Sequence, residues 1–240
     1  MGNRMDDRLA HPLRKAVEEM PWSSWEGSLA SRQPPGPAVL ERLERGFLEY
    51  QPLLCKWSRR VRLVGSAEPE AVTGHFVDSL TLWPLLDEVP YEGGILDVGS
   101  GAGFPGIPIA LIREDLRVTL IESDGRKAAF LVQALARLNI KGAAVLNLRA
   151  KGAPDAEGIP RGDLVISRAL MEPLRWLELG KPYLKRGGLL VAMLGRRAPK
   201  DAELAAYGQK LGLDWVGCRR GRLPGGEERV IAAWREVELS

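Results

Sequence analysis

From Gly94 onward, apolar residues fall into short runs separated by longer stretches in which they recur every three or four positions. ILDV, VTLIE, AAVLN, DLVIS and LLVAML are runs of strand length. PIALIRE, GRKAAFLVQALARLN and EPLRWLELGKPYL are amphipathic, and a polar loop lies between AAVLN and DLVIS. Such alternation predicts a parallel sheet with helices on both faces. A last helix near Asp201 to Leu211 precedes two further runs, LDWVGCR and ERVIAAWR, joined through LPGG, which predicts an antiparallel hairpin closing the sheet.

The earlier part of the chain carries a helical pattern only. Leu40, Leu43, Phe47, Leu48, Leu54 and Trp57 recur at helical spacing among charges, predicting an amphipathic helix from Ala38 to Trp57 with a kink at Pro52. A second helix is expected from Pro69 to Leu86. Before these, HPLRKAVEEM fits one short helix, while PWSSWEGSLASRQPPGP is rich in Pro, Gly and Ser around Trp22 and Trp25. The expected organisation is a flexible, loosely docked extension over residues 1–37, a helical segment over 38–90 and an α/β domain over 91–240, with no internal repeat.

Composition narrows this only a little. A chain of 240 residues can bury one good-sized core, and 34 basic against 31 acidic residues leave a net charge of +3, which neither requires nor excludes an RNA partner. Cys55 and Cys218 are far apart and outside any CxxC pattern, so neither a disulfide framework nor a zinc site is expected. The opening MGNRMD lacks the apolar core of a signal peptide, and no apolar run reaches membrane-spanning length. A soluble, cytoplasmic protein without metal is the expectation.

The candidate chemistry lies in ILDVGSGAGFPGIPIALI, from Ile95 to Ile112. In an open parallel sheet the ligand sits beyond the carboxyl ends of the strands, and glycines there let the backbone turn tightly and approach it. A dinucleotide fingerprint needs G-x-G-x-x-G, but Phe104 stands where its third glycine would be and Gly106 comes two residues late. Asp97, inside the first strand, suits the ammonium of S-adenosylmethionine (SAM). Glu122, about 20 residues on, suits ribose hydroxyls and serves NAD and SAM alike. The residues favour SAM and leave a nicotinamide cofactor open.

The chain resembles the bacterial 16S rRNA guanine-N7 methyltransferases, the RsmG or GidB family, over roughly Glu44 to Trp234. The resemblance rests on HFVDSL at His75 to Leu80, LDVGSGAGFPGIPIA, LIESDGRKAAFL, VISRAL at Val165 to Leu170, and GEERVIAAW. It implies a class I SAM-dependent methyltransferase (Rossmann-like) sheet acting on a guanine in the 530 loop of 16S rRNA, with the rRNA or the small ribosomal subunit as partner. It implies cofactor contacts for Gly99, Gly101 and Phe104 in the loop, Asp97 and Glu122 as the acids, Ala150 and Lys151 beside the adenine, and Arg168 at the reacting end. Arg149 and Arg229 match arginines assigned to cofactor and RNA. Two positions depart from the family: Leu194 stands where a lysine is usual, and Lys151 where an acid often follows Ala150.

Position 7 of guanine carries a free lone pair, so its methylation needs positioning and no general base. His75 and Asp78, three apart on one helix face, are therefore read as fastening the helices to the sheet. No cysteine lies in a loop suited to methylation at carbon, and SRAL replaces the D/N-P-P-Y of exocyclic-amine methylases. Basic clusters at Arg59, Arg60 and Arg62, at Arg196, Arg197 and Lys200, and in CRRGR from Cys218 to Arg222 are candidate phosphate contacts. Phe104 or a tryptophan is a candidate stacking platform for an everted base. The rival readings are an RNA-binding assembly factor that holds SAM structurally, a nicotinamide-dependent oxidoreductase, and a small-molecule methyltransferase.

Overall fold

The computed structural model describes residues 6–20, 26–27, 29, 34–168 and 170–237, with side chains from residue 12 onward. Trp22 and Trp25 lie outside the described residues. In chain order the elements are α1 (Asp6–Glu18), β1 (Glu26–Gly27), α2 (Pro37–Ser58), α3 (Pro69–Leu80), β2 (Gly94–Val98), α4 (Gly106–Ile112), β3 (Arg117–Ile121), α5 (Gly125–Arg137), β4 (Ala143–Leu146), α6 (Pro154–Glu157), β5 (Gly162–Arg168), α7 (Pro173–Gly180), β6 (Leu184–Leu194), α8 (Asp201–Lys210), β7 (Leu213–Arg222) and β8 (Glu228–Glu236).

The strands form one sheet in the order β1-β7-β8-β6-β5-β2-β3-β4. β4, β3, β2, β5 and β6 run parallel, whereas β8 is antiparallel to both β6 and β7. The predicted hairpin therefore completes the sheet with its second strand placed inside, and β1 pairs the outer edge of β7.

Side chains alternate between the two faces because successive strand residues point to opposite sides. Leu164 and Ile166 of β5, and Leu189, Val191 and Met193 of β6, join a core shared with α1 to α5. Val165, Leu190 and Ala192 face the other way, onto Trp176 and Leu177 of α7 and Leu204 of α8. Local signals set the helix starts: α2, α3 and α7 each have Pro in the first turn, and the Asp124 side chain caps α5 by accepting from the Arg126 and Lys127 amides.

Two sequence expectations change. The helix expected from Pro69 to Leu86 ends at Leu80, and a 3-10 turn over Trp83–Glu88 follows. Pro84, which has no amide hydrogen to donate to the Leu80 carbonyl, disfavours continuing α3 through this stretch. The extension is not loosely docked throughout, since Leu13, Val17 and Met20 are buried against α2 and α3 in the main core. Arg14 adds an ion pair to Glu44 of α2, its Nε 2.8 Å from the Glu44 carboxylate.

Leu13→Ala removes a fully buried side chain and is expected to cost about 2–5 kcal/mol, read as a lower urea midpoint. An unchanged midpoint would mean that α1 contributes nothing to the core.

Candidate active site

The glycine loop is fixed by its neighbours before any ligand is considered. The Gly99 and Ser100 amides donate to the Ile121 carbonyl at 2.9 and 3.1 Å, anchoring the loop to the end of β3. Gly99, Gly101 and Gly103 have φ of +77°, +57° and +88°, a region that side chains disfavour. Gly106 is needed for a different reason. A Cβ there would stand 2.2 Å from Leu120 and 2.7 Å from the Asp97 carboxylate, so α4 can approach β2 only without one.

That approach defines Asp97. The residue is 1% exposed; its Oδ2 accepts from the Gly106 amide at 3.0 Å, and its Oδ1 is buried without a partner. Burial pushes the carboxyl up to about 6, against the lowering effect of the Gly106 hydrogen bond. An acid with one orphaned oxygen at a strand end is suited to receive a cation, because each unmet acceptor carries a desolvation cost that a ligand can relieve.

Glu122 sits beside the loop at 7% exposure. Its Oε2 accepts from the Gly101 amide at 2.9 Å and its Oε1 from the Asp124 amide at 2.8 Å, leaving further lone pairs on both oxygens. Asn147, after β4, donates to the Glu122 carbonyl at 2.8 Å and brings the Arg149–Lys151 loop alongside. Ala150 packs partly buried on the second core. Lys151 is exposed, and its amide is held by Glu157 at 2.8 Å and the Tyr183 hydroxyl at 3.0 Å.

A second group of residues gathers at the ends of β5 and β8. Asp78 of α3 is 1% exposed, accepting from Arg229 Nε at 2.6 Å on one oxygen and from Arg168 Nη1 at 3.2 Å on the other. Arg168 Nη1 also lies 3.4 Å from His75 Nδ1, and the guanidinium carbon sits 5.2 Å from the centre of the Phe104 ring. Burial, reinforced by the Arg168 charge, lowers His75 to about 4, so its ring is neutral at physiological pH.

Phe104 departs from the stacking expectation. It is 2% exposed, with Tyr50, His75 and Phe76 around it at ring-centre distances of 5.4, 5.0 and 5.7 Å. Surrounded by protein groups and facing the Arg168 guanidinium, the ring has no free face for a base. Arg229 likewise is a partner of Asp78 and not a free surface cation.

Asp97, Gly99, Gly101, Phe104, Glu122, Arg168 and Arg229 thus form one connected region, with the Arg149–Lys151 loop at its flank. Arg59 and Arg60 are exposed beyond the end of α2, and Arg196 and Arg197 are exposed after β6. Sequence reasoning missed Tyr50, whose fully buried hydroxyl donates to the Ala102 carbonyl and ties α2 to the glycine loop. Its helical phase with Phe47 and Leu54 marks it as core, and a buried phenol needs an acceptor; nothing in the pattern names Ala102. Among the described residues there is no cluster suited to holding a metal ion and no helix long and apolar enough to cross a membrane.

Comparison with known proteins agrees in sequence and in fold. The profile of the family described as rRNA small subunit methyltransferase G matches residues 44–211. The protein named Ribosomal RNA small subunit methyltransferase G from Anaeromyxobacter sp. (strain Fw109-5) is 45% identical over 211 residues, covering 87% of this chain and 94% of that one. Its namesake from Myxococcus xanthus (strain DK1622) is 44% identical over 195 residues, covering 80% and 86%. Among solved structures, TrmN from Thermus thermophilus aligns with a TM-score of 0.54 at 17% identity, over 79% of this chain and 53% of that one. With the strand order above, the fold is that of the class I SAM-dependent methyltransferases.

Two stability measurements check the acids. Asp97 has a folded pKa above its ordinary value of 3.8, so ionisation costs folding stability above pH 6, and the cost fades as pH falls towards 4. Asp97→Asn is expected to raise stability at pH 8 by up to about 3 kcal/mol and to change little at pH 4. An equal effect at both pH values would refute the assigned cause. Asp78→Ala leaves two arginines facing a void and is expected to lose about 3 kcal/mol in denaturant unfolding.

Proposed function

Because the chain belongs to the rRNA small subunit methyltransferase G family, we propose that it methylates N7 of a guanine in the 530 loop of 16S rRNA, in the cytoplasm, with SAM as methyl donor. The observation that carries the cofactor assignment is the buried, half-unpartnered Asp97 carboxylate beside a glycine loop of positive φ. Asp97 suits the ammonium, Glu122 the ribose, the loop backbone at Gly99 and Gly101 the body of the ligand, and the Arg149–Lys151 loop the adenine side. Bound there, SAM supplies an electrophilic methyl on a sulfonium.

The reaction asks little proton chemistry of the protein. N7 offers its own lone pair; as the new N–C bond forms and the S–C bond breaks, positive charge passes from sulfur to the base. No proton leaves N7, so no general base is required. The residues near Arg168 support this reading: His75, lowered to about 4, is a weak base, and both Asp78 oxygens are committed to arginines. Arg168, seated on Phe104 and fixed by Asp78, orients the reacting end. Arg59, Arg60, Arg149, Arg196 and Arg197 are available to phosphates, and Arg229 acts through the Asp78 pairing.

Labelled SAM and small ribosomal subunits lacking the modification test the reading, with nucleoside mass spectrometry of the product. 7-Methylguanosine is expected; stable subunit binding without transfer would favour the assembly-factor reading instead. Arg168→Ala is expected to lower kcat/KM about 100-fold, and near-normal turnover would remove the role given to it. SAM affinity should weaken as pH falls through 6, where Asp97 becomes neutral, and a Kd flat from pH 8 to 5 would separate Asp97 from the ammonium.

A further inference from the structure

Beside the arginine pair lies a cavity of about 850 Å3 to which no role has been given, bounded by the loop leading into α7 and the loop leaving β6. Its size is in the range of small-ligand sites. Two close approaches place it near the reacting end, although Leu194 in its wall points to the α7–α8 face of the sheet, opposite to Met193, the strand partner of Arg168. Gly195, also in the wall, would bring a Cβ within 3.7 Å of Arg229 Nη1. On the opposite side, Leu170 lies over Gly99, and Met171 and Glu172 continue directly into the cavity.

The lining is uneven in a way that fits a base. Met171, Pro173, Leu194 and Pro199 give apolar walls, and Arg196 and Arg197, both exposed, complete the lining. Glu172 contributes the only carboxylate of the lining among the described residues. It is the N-cap residue of α7, yet its side chain makes no capping hydrogen bond, so its oxygens are not spent on the helix amides. Leu194 keeps this part of the wall apolar.

Resting on the guanine reading above, we propose that this cavity receives the everted target base and that Glu172 determines its identity. Guanine presents N1–H and N2–H2 on one edge, two parallel donors matched by the two oxygens of a carboxylate. Adenine places an acceptor at N1, which a carboxylate repels. With that edge held by Glu172, the imidazole edge carrying N7 faces the other way, towards Arg168 and the glycine loop. Glu172 also opposes the positive charge that the base gains on methylation, so its contribution grows along the reaction coordinate. The two exposed arginines of the lining are placed for the phosphates flanking the everted nucleotide.

The test uses the whole protein, labelled SAM and small subunits reconstituted with 16S rRNA carrying either guanine or inosine at the methylated position. Inosine keeps N1–H and lacks the N2 amine. Glu172→Gln and Glu172→Ala are each expected to lower kcat/KM by 10- to 100-fold on guanine, with SAM affinity and thermal midpoint unchanged. Wild type is expected to lose about tenfold on inosine, and Glu172→Ala to lose nothing further, because the partner of the missing amine is already gone. Two variants within twofold of wild type, or the same inosine penalty in Glu172→Ala as in wild type, would overturn the subsite while leaving the guanine reading intact. Failure of wild type to form 7-methylguanosine would overturn both. The isosteric Glu172→Gln keeps the test open if the alanine variant folds poorly.

Discussion

Asp78 is a buried carboxylate whose two oxygens are each claimed by an arginine from a different strand. A charge this far from water is tolerable only when it is paired and hydrogen-bonded, and satisfying it fixes three elements at once. α3 is held over the sheet, Arg168 is turned onto Phe104, and Arg229 is drawn in from β8. Phe104 in turn is walled by Tyr50, and the Tyr50 hydroxyl holds the glycine loop. The helical part of the chain therefore serves as more than a cover: it sets the shape of the loop and the direction of the arginine at the centre of the site.

The three acids of this region solve the problem of burial differently. Asp78 is neutralised by cations, Glu122 is surrounded by backbone amides, and Asp97 keeps one oxygen without a partner. In the first two every carboxylate oxygen has a partner before a ligand arrives. In the third one oxygen has none, and burial accordingly raises the pKa of Asp97. Order in the pocket is thus supplied by the partnered groups, while the unpartnered oxygen of Asp97 is the one left without a hydrogen bond.

The sheet was largely legible in the sequence because its strands, buried on both faces, read as continuous apolar runs, as ILDV and LLVAML do. The glycine loop and the two acids near it were legible for a local reason: turn geometry and strand ends are written in neighbouring residues. Contacts between distant segments were not. That Asp78 would take both Arg168 and Arg229, 90 and 151 residues away, depends on tertiary packing that no periodicity encodes. The stacking role considered for Phe104 failed for the same reason, since an aromatic residue after a glycine loop looks exposed until Tyr50, His75 and Phe76 close around it. Leu13, Val17 and Met20 carried a helical phase, but the Pro- and Ser-rich stretch after them masked the docking of α1.

The position of β8 within the sheet has a consequence for synthesis. This strand follows all the others in the chain, yet it lies between β6 and β7 and brings Arg229 with it. A nascent chain can form β2 to β6 and the glycine loop while translation is still under way. It can complete neither the far half of the sheet nor the second ion pair of Asp78 until the residues through Glu236 have emerged. The arginine pair is therefore a late product of the chain, dependent on the strand that is made after all the others.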